Sequence, residues 1–253
     1  MARVSEFYVG TSGWSYGHWR SRFYPKTLPS SHWFEHYSRF FDTVELNATF
    51  YRLPEKSTFE AWRADAPADF VFAVKGSRYL THMKRLLAPQ EPLERLVTRA
   101  QGLGDRLGPL LYQLPPTMQR NDERLAAFLR ALPAGYQHVV EFRNKTWYAA
   151  PIFALLREHG VGFCVHDWKA CPAPLELTAA FSYIRLHGTI APFAGSYSRS
   201  RLLRWRDRIY ELRDRGASTI YAYFNNDSWA FAVHNALALK EMLGQVKMLS
   251  ASG

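Results

Sequence analysis

Tyr183-Ile184-Arg185-Leu186-His187 reads as a short strand with two unlike faces, Ile184 and Leu186 on one side and Arg185 and His187 on the other. Thr43-Val44-Glu45-Leu46-Asn47 repeats the arrangement, with Glu45 and Asn47 opposing Val44 and Leu46. In Val140-Glu141-Phe142-Arg143, Glu141 and Arg143 oppose Val140 and Phe142. The apolar faces need helices to cover them, which leaves the polar members to gather at the strand ends. Five further apolar runs end in the same way, at Thr11-Ser12, Lys75, Gln113, His166-Asp167 and Asn225-Asn226-Asp227. Eight strands, each followed by a helix, would bring these ends to one rim, where strand–helix barrels hold their active sites.

The candidate strands are 7–12, 43–47, 70–75, 109–114, 138–143, 161–166, 183–187 and 219–225, with room for helices between them. Ser57-Thr58-Phe59-Glu60 has capping-box spacing, and Leu202, Trp205, Ile209 and Leu212 recur at helical spacing. Pro172 and Pro174 interrupt the segment between runs six and seven, predicting an irregular sixth helix. A single α/β domain over residues 1–253, a (β/α)8 TIM-like barrel, is the fold expected, and 253 residues is a usual length for it.

Hydrophobic residues make up 47% of the chain and charged residues 21%, the balance of a globular protein. No apolar run approaches the ~18 residues of a membrane span, and Met1-Ala2-Arg3-Val4-Ser5-Glu6 lacks a signal-peptide core. A cytoplasmic protein without a membrane partner is therefore expected. Cys164 and Cys171 are the only cysteines, so neither a disulfide framework nor a cysteine metal site is supported, and Cys164 reads as strand packing. The net charge of +10 favours anionic partners, nucleic acid among them. Much of the excess lies between Arg199 and Arg215, where arginines surround the apolar stripe; a solvated helix face and a nucleic-acid docking surface both fit.

Longer blocks carry a family resemblance. Gly10-Thr11-Ser12-Gly13-Trp14-Ser15-Tyr16, Glu45-Leu46-Asn47-Ala48-Thr49-Phe50-Tyr51 and Phe72-Ala73-Val74-Lys75 occur in order. They are followed by Leu111-Tyr112-Gln113-Leu114-Pro115-Pro116, Val140-Glu141-Phe142-Arg143-Asn144, Tyr183-Ile184-Arg185-Leu186-His187-Gly188 and Tyr223-Phe224-Asn225-Asn226-Asp227. The chain resembles the YecE-like family, domain of unknown function 72, which implies a TIM-barrel-like fold and no transferable activity.

Function must then come from the residues. Glu45, Lys75, Glu141, Arg143, Arg185 and His187 are the candidate catalytic set at the barrel mouth. Burying so many ionisable groups is costly unless they pair with a ligand or with one another; the alternative is an ion-pair network that closes the barrel top. Lys75, Arg143 and Arg185 favour an anion, with phosphate in a nucleotide or nucleic acid as the leading class, and a phosphoester or nucleic-acid-directed hydrolase as the enzyme. Glu141 or Glu45 would act as general base and His187 as acid or base near neutral pH. Asn47, Gln113, Asn225 and Asn226 would orient the ligand, with Tyr16, Tyr51, Tyr197, His82 and Asp227 as further contacts. Gly188 allows close backbone approach or a simple turn, and Asp227 or Ser228 is a candidate cap of the last helix.

Three other schemes stand beside this one, two on the same residues and one on the arginine-rich helix. Lys75 could form a Schiff base if its pKa is lowered, Glu45 and Glu141 could serve glycoside hydrolysis, and the arginine-rich helix could make a non-catalytic nucleic-acid-binding or adaptor barrel. No cofactor is expected; histidine spacing is poor for zinc, and Asp167, Asp227 or a glutamate leaves room for a single Mg²⁺. The oligomeric state is open.

Overall fold

All eight runs form strands in the computed structural model, which describes residues 7–191 and 193–245. The segment Met1–Glu6, read above for a signal peptide, lies outside the described residues. The strands are β1 (Phe7–Thr11), β2 (Thr43–Leu46), β3 (Val71–Lys75), β4 (Leu107–Gln113), β5 (His138–Glu141), β6 (Gly162–His166), β7 (Phe181–Leu186) and β8 (Thr219–Phe224). They pair in parallel in the order β1-β8-β7-β6-β5-β4-β3-β2, each beside its neighbour in sequence. Where β1 meets β2, Ser12 bridges Glu45 and the Gly13 N–H donates to the Glu45 carbonyl at 2.8 Å, so the sheet nearly closes. Gly10 makes that seam possible, because a Cβ there would lie 2.4 Å from the Thr43 carbonyl oxygen.

The helices are α1 (Trp33–Ser38), α2 (Lys56–Asp65), α3 (Gln90–Ala100), α4 (Asp122–Arg130), α5 (Ala150–Glu158), α6 (Arg199–Asp214) and α7 (Phe231–Met242). Leu202, Trp205, Ile209 and Leu212 of α6 are buried, so the apolar stripe lies on the core as its spacing predicts. Two local expectations are corrected. Ser57 lies inside α2, whose cap position is Glu55 without a side-chain cap bond, and Glu60 faces Lys56 instead of closing a capping box. No helix forms between β6 and β7. The prolines leave an irregular strap, tied down by Arg157 on Glu176 at 2.6 Å and by Arg215 on the Leu175 carbonyl at 2.8 Å.

Side chains inside the barrel are layered. Ala73, Val139, Cys164, Tyr183 and Tyr221 belong to one buried apolar cluster. Two residues further along three of these strands, on the same face, stand Lys75, Glu141 and Arg185. The charged layer thus lies directly above the packed apolar one, on the side of the strands' C-terminal ends.

Candidate functional site

Arg185 occupies the centre of this layer and is fully buried. Its Nε and Nη2 donate to the two oxygens of Glu45 at 2.9 and 2.7 Å, and its Nη1 donates to Glu141 Oε2 at 2.8 Å. The Glu45 carboxylate also accepts from Ser12 Oγ at 2.6 Å and from Tyr183 OH at 2.7 Å. Glu141 Oε1 takes the Nε–H of Arg143. A bidentate fork and four donors on one carboxylate make this lattice self-sufficient.

Its electrostatics follow. Burial opposes the charge of Glu45, but Arg185, Lys75 and Ser12 outweigh it and hold the carboxyl below its usual range. For Glu141 burial is likewise overcome, by Arg143 and Arg185, and the pKa lies well below the ordinary value. Such carboxylates are poor proton acceptors, so neither is suited to the general-base role expected from sequence. His187 Nε2 faces Arg143 Nη2 at 2.6 Å and Arg185 Nη1 at 3.3 Å, both obligate donors, so Nε2 accepts and the ring proton sits on Nδ1. Burial and those two cations push its pKa well below that of a free imidazole. His187 is therefore a fixed neutral acceptor and does not titrate near neutral pH as expected. Its buried Nδ1 has no hydrogen-bond partner among the described residues; Asp167 Oδ1 is 3.6 Å away.

Lys75 and Arg143 differ from Arg185. Among the described residues Lys75 Nζ makes one hydrogen bond, to Asn47 Oδ1 at 3.1 Å, and lies 4.2 Å from the centre of the Phe50 ring. Burial, with help from Arg185, lowers its pKa to about 7. Arg143 stacks on Trp168 at 4.2 Å and spends Nε and Nη2 on Glu141 and His187, leaving Nη1 without a partner among the described residues. His82, half-buried beside Phe50, feels the charges of Lys75 and Arg143 behind a larger burial effect, and its pKa falls to about 4.

The remaining expected contacts divide. Asn47, Tyr16, Tyr51, Asn225 and Asp227 line a cavity of about 500 Å³ together with Trp14, Trp62 and Phe193. The Asn225 side chain makes no hydrogen bond among the described residues although Asn225 is only 5% exposed. Gln113 is half-buried at the end of β4. Asn226 and Tyr197 face elsewhere. Asn226 Nδ2 donates to the Gly195 carbonyl and to Asn235 Oδ1, both at 2.9 Å, while Tyr197 donates to Asp167 Oδ2 and accepts from the Gly188 N–H at 2.8 Å.

Gly188 serves a turn: with φ of 105°, a Cβ there would lie 2.2 Å from the Ala194 oxygen, within its own loop. The cap position of α7 is Ala230, and Asp227 precedes a short helical turn, Ser228–Ala230, without a side-chain cap bond to it. Ser12, Tyr183, Phe50 and Trp62 were not among the expected site residues. Tyr183 shares a face with Arg185 two residues on, a signal present in the sequence, whereas Trp62 arrives from α2 and left none. Among the described residues no group of three or more His, Cys, Asp or Glu is placed to hold a metal ion.

With this geometry established, comparison with other proteins places the chain. The family model described as "Protein of unknown function DUF72" matches residues 8–252. The chain belongs to the DUF72 family. It is 26% identical to the UPF0759 protein YunF of Bacillus subtilis (strain 168), over 93% of this chain and 94% of that protein. It is 32% identical to the UPF0759 protein YecE of Escherichia coli (strain K12), over 56% of this chain and 50% of that protein. The crystal structure of a DUF72 family protein from Thermotoga maritima MSB8 superposes with a TM-score of 0.86 at 30% identity, covering 95% of this chain and all of that one. The DUF72 barrel of this chain thus carries its buried lattice at the rim expected of the fold. No helix among its described residues is long and apolar enough to cross a membrane.

Proposed function

We propose that this barrel is an enzyme that binds a phosphate-bearing ligand of the nucleotide or nucleic-acid class at its C-terminal rim, with Lys75 and Arg143 receiving the anionic group. Donors left over after the lattice has satisfied itself carry this reading: Lys75 Nζ has a single acceptor, and Arg143 Nη1 has none among the described residues. Arg185, expected to share the task, is fully committed to Glu45 and Glu141 and acts by holding the other groups in place. With a pKa near 7, Lys75 exists as both ammonium and amine at neutral pH, which suits it to donate a proton to a leaving oxygen and recover one from water. Asn47 orients its amine.

Isothermal titration of inorganic phosphate and nucleoside monophosphates tests this. Binding to the wild-type protein, weakened at least tenfold in Lys75→Met and unchanged in the distant α6 variant Arg206→Ala, is the expected result. Equal affinity in Lys75→Met, or no binding by any phosphate compound, would overturn it.

A second reading is Schiff-base chemistry at Lys75, whose Nζ is buried beside the Phe50 ring and held by Asn47 alone among the described residues. A buried amine with its pKa lowered to about 7 meets the requirement for Schiff-base chemistry with a carbonyl substrate. Borohydride trapping against a carbonyl panel should then leave a mass adduct on Lys75; no adduct would remove it. The glycosidase scheme is not retained, because the Arg185 guanidinium stands between Glu45 and Glu141 and is ion-paired with both. On α6 and at its C-cap, Arg206, Arg213 and Arg215 pair with Asp207, Asp214 and Glu211, which lowers the free positive charge available for docking.

A further inference from the structure

Among the described residues, every large apolar side chain exposed to solvent stands on the rim at the C-terminal ends of the strands. Tyr51 (78% exposed) follows β2, and Tyr79, Met83 and Leu87 follow β3. Ile190 (76%) and Phe193 follow β7, and Trp229 (65%) follows β8. Among the described residues none stands on α1 to α7. The backbone repeats the bias. Six of the seven described non-glycine residues at positive φ lie in these same loops, including Trp229 at 59° and its neighbour Ala230 at 60°, and the seventh, Ser21, lies in the loop after β1. Strain retained at one end of a fold marks that end as the working one.

Charge is one-sided over part of the rim, the acids Glu55, Asp167, Glu176 and Asp227 being confined to the loops after β2, β6 and β8. The loops after β1, β3, β4 and β5 contain no Asp or Glu, yet the first bears Arg20, Arg22 and Lys26 and the second Arg78, Lys84 and Arg85. Cations and rings interleave: Arg22 lies 4.4 Å over the Trp229 ring and Lys84 5.6 Å over Tyr79. Between the loops after β1, β2 and β8 opens the 500 Å³ cavity with Trp14, Tyr16 and Tyr51, where the Asn225 side-chain amide has no partner among the described residues and Asp227 can accept from ring N–H groups.

Resting on the phosphate reading above, we infer that the ligand is a single-stranded nucleic acid laid across the rim, one base entering the cavity while its phosphate meets Lys75 and Arg143. A single strand presents what this surface matches, unpaired π-faces for exposed rings and regularly spaced phosphates for acid-free basic loops. A duplex keeps its bases stacked inside and would leave the rings unused. A free nucleotide would fill the cavity and leave Trp229, Tyr79 and the β3 loop without a role.

Fluorescence anisotropy with labelled oligonucleotides of one sequence tests the inference, using DNA and RNA strands of increasing length and the matching duplexes, against a nucleoside monophosphate and polyglutamate as competitors. Expected are affinity rising at least tenfold from the monophosphate to a strand of several nucleotides and at least tenfold preference for single strand over duplex. Tyr51→Ala and Trp229→Ala should each weaken strand binding about 5- to 100-fold, as loss of one stacked base does. Both side chains are exposed, so folding is not at stake.

The DNA and RNA arms identify which strand is preferred, and tighter binding of either supports the inference. A monophosphate that binds through Lys75 with no gain from chain length overturns this inference and leaves the phosphate reading standing. Absence of binding by all of them overturns both. Duplex binding as tight as single strand, competition by polyglutamate as effective as by the oligonucleotide, or unchanged affinity in both ring variants would show a merely basic surface or a protein-binding one and overturn it.

Discussion

Arg185 on β7 grips both carboxylate oxygens of Glu45 on β2, at 2.7 and 2.9 Å, and with its remaining arm holds Glu141 on β5. The guanidinium spans the mouth of the barrel and joins strands that are not neighbours in the sheet. Removing it would strand two buried carboxylates, the costly way to break a buried ion pair.

Arg185→Leu should accordingly lose about 3–5 kcal/mol of stability in urea unfolding. Arg185→Lys should recover little of it, because an ammonium cannot serve both oxygens of Glu45 and reach Glu141 as a planar fork does. A lysine variant within 1 kcal/mol of wild type, on the order of the scatter for surface changes, would show that charge alone suffices.

The same carboxylates set the behaviour in acid. Glu45 and Glu141 have folded pKa values below their unfolded ones, so their contribution is complete above the ordinary carboxylate pKa and is lost as pH falls through the folded values. Stability should hold from neutral pH to about 5 and drop steeply below about 4, where unfolded glutamates take up protons. Glu141→Gln should be less stable at pH 7 yet show a shallower decline between pH 5 and 3 by thermal scanning. A parallel decline would mean that other groups drive acid unfolding.

How far the sequence could be read is clear from these residues. Strand alternation alone put Glu45, Glu141 and Arg185 on the inside, because a period of two leaves no other face once helices cover Val44, Val140 and Ile184. It could not tell pairing from ligand binding. That distinction depends on which N–H points to which oxygen, a matter of side-chain geometry between strands far apart in sequence. Hence His187 looked like a neutral-pH acid or base and proved a fixed acceptor beneath two guanidinium groups. Tyr197 and Asn226 looked like ligand contacts and are spent on Asp167 and Asn235. The strap between β6 and β7 was legible as irregular from Pro172 and Pro174, but its anchors, Arg157 and Arg215, come from helices that no local pattern connects to it.

Gly10 offers a test of the seam. Alanine there would drive its Cβ against the Thr43 backbone oxygen, which cannot swing aside as a flexible side chain would. Gly10→Ala should cost about 1–3 kcal/mol, the range for overpacking, and should raise amide exchange in β1 and β2 more than in β5 and β6. Uniform exchange would show that the seam is not the weak edge of the sheet.

Lys75 gives the most discriminating measurement, since its effect on stability opposes the usual direction. Its folded pKa, about 7, lies below the unfolded value near 10.4, so the unfolded chain binds more protons between those two pH values. Stability must therefore rise with pH across that window, and the penalty of holding a buried ammonium is fully present below about 7. Lys75→Met, which keeps the length of the stem and removes the charge, should raise Tm at pH 6, by about 2–4 °C for each kcal/mol relieved in a domain of this size. The gain should shrink as pH approaches 10. Anion binding has the opposite pH dependence: a bound phosphate favours the ammonium, so binding takes up a proton and weakens up to tenfold per pH unit above 7. A variant that is destabilised at pH 6 would show the ammonium to be a structural partner of the lattice. A variant stabilised at pH 6 and impaired in phosphate binding would mark Lys75 as a residue kept at a cost to the fold for the sake of its ligand.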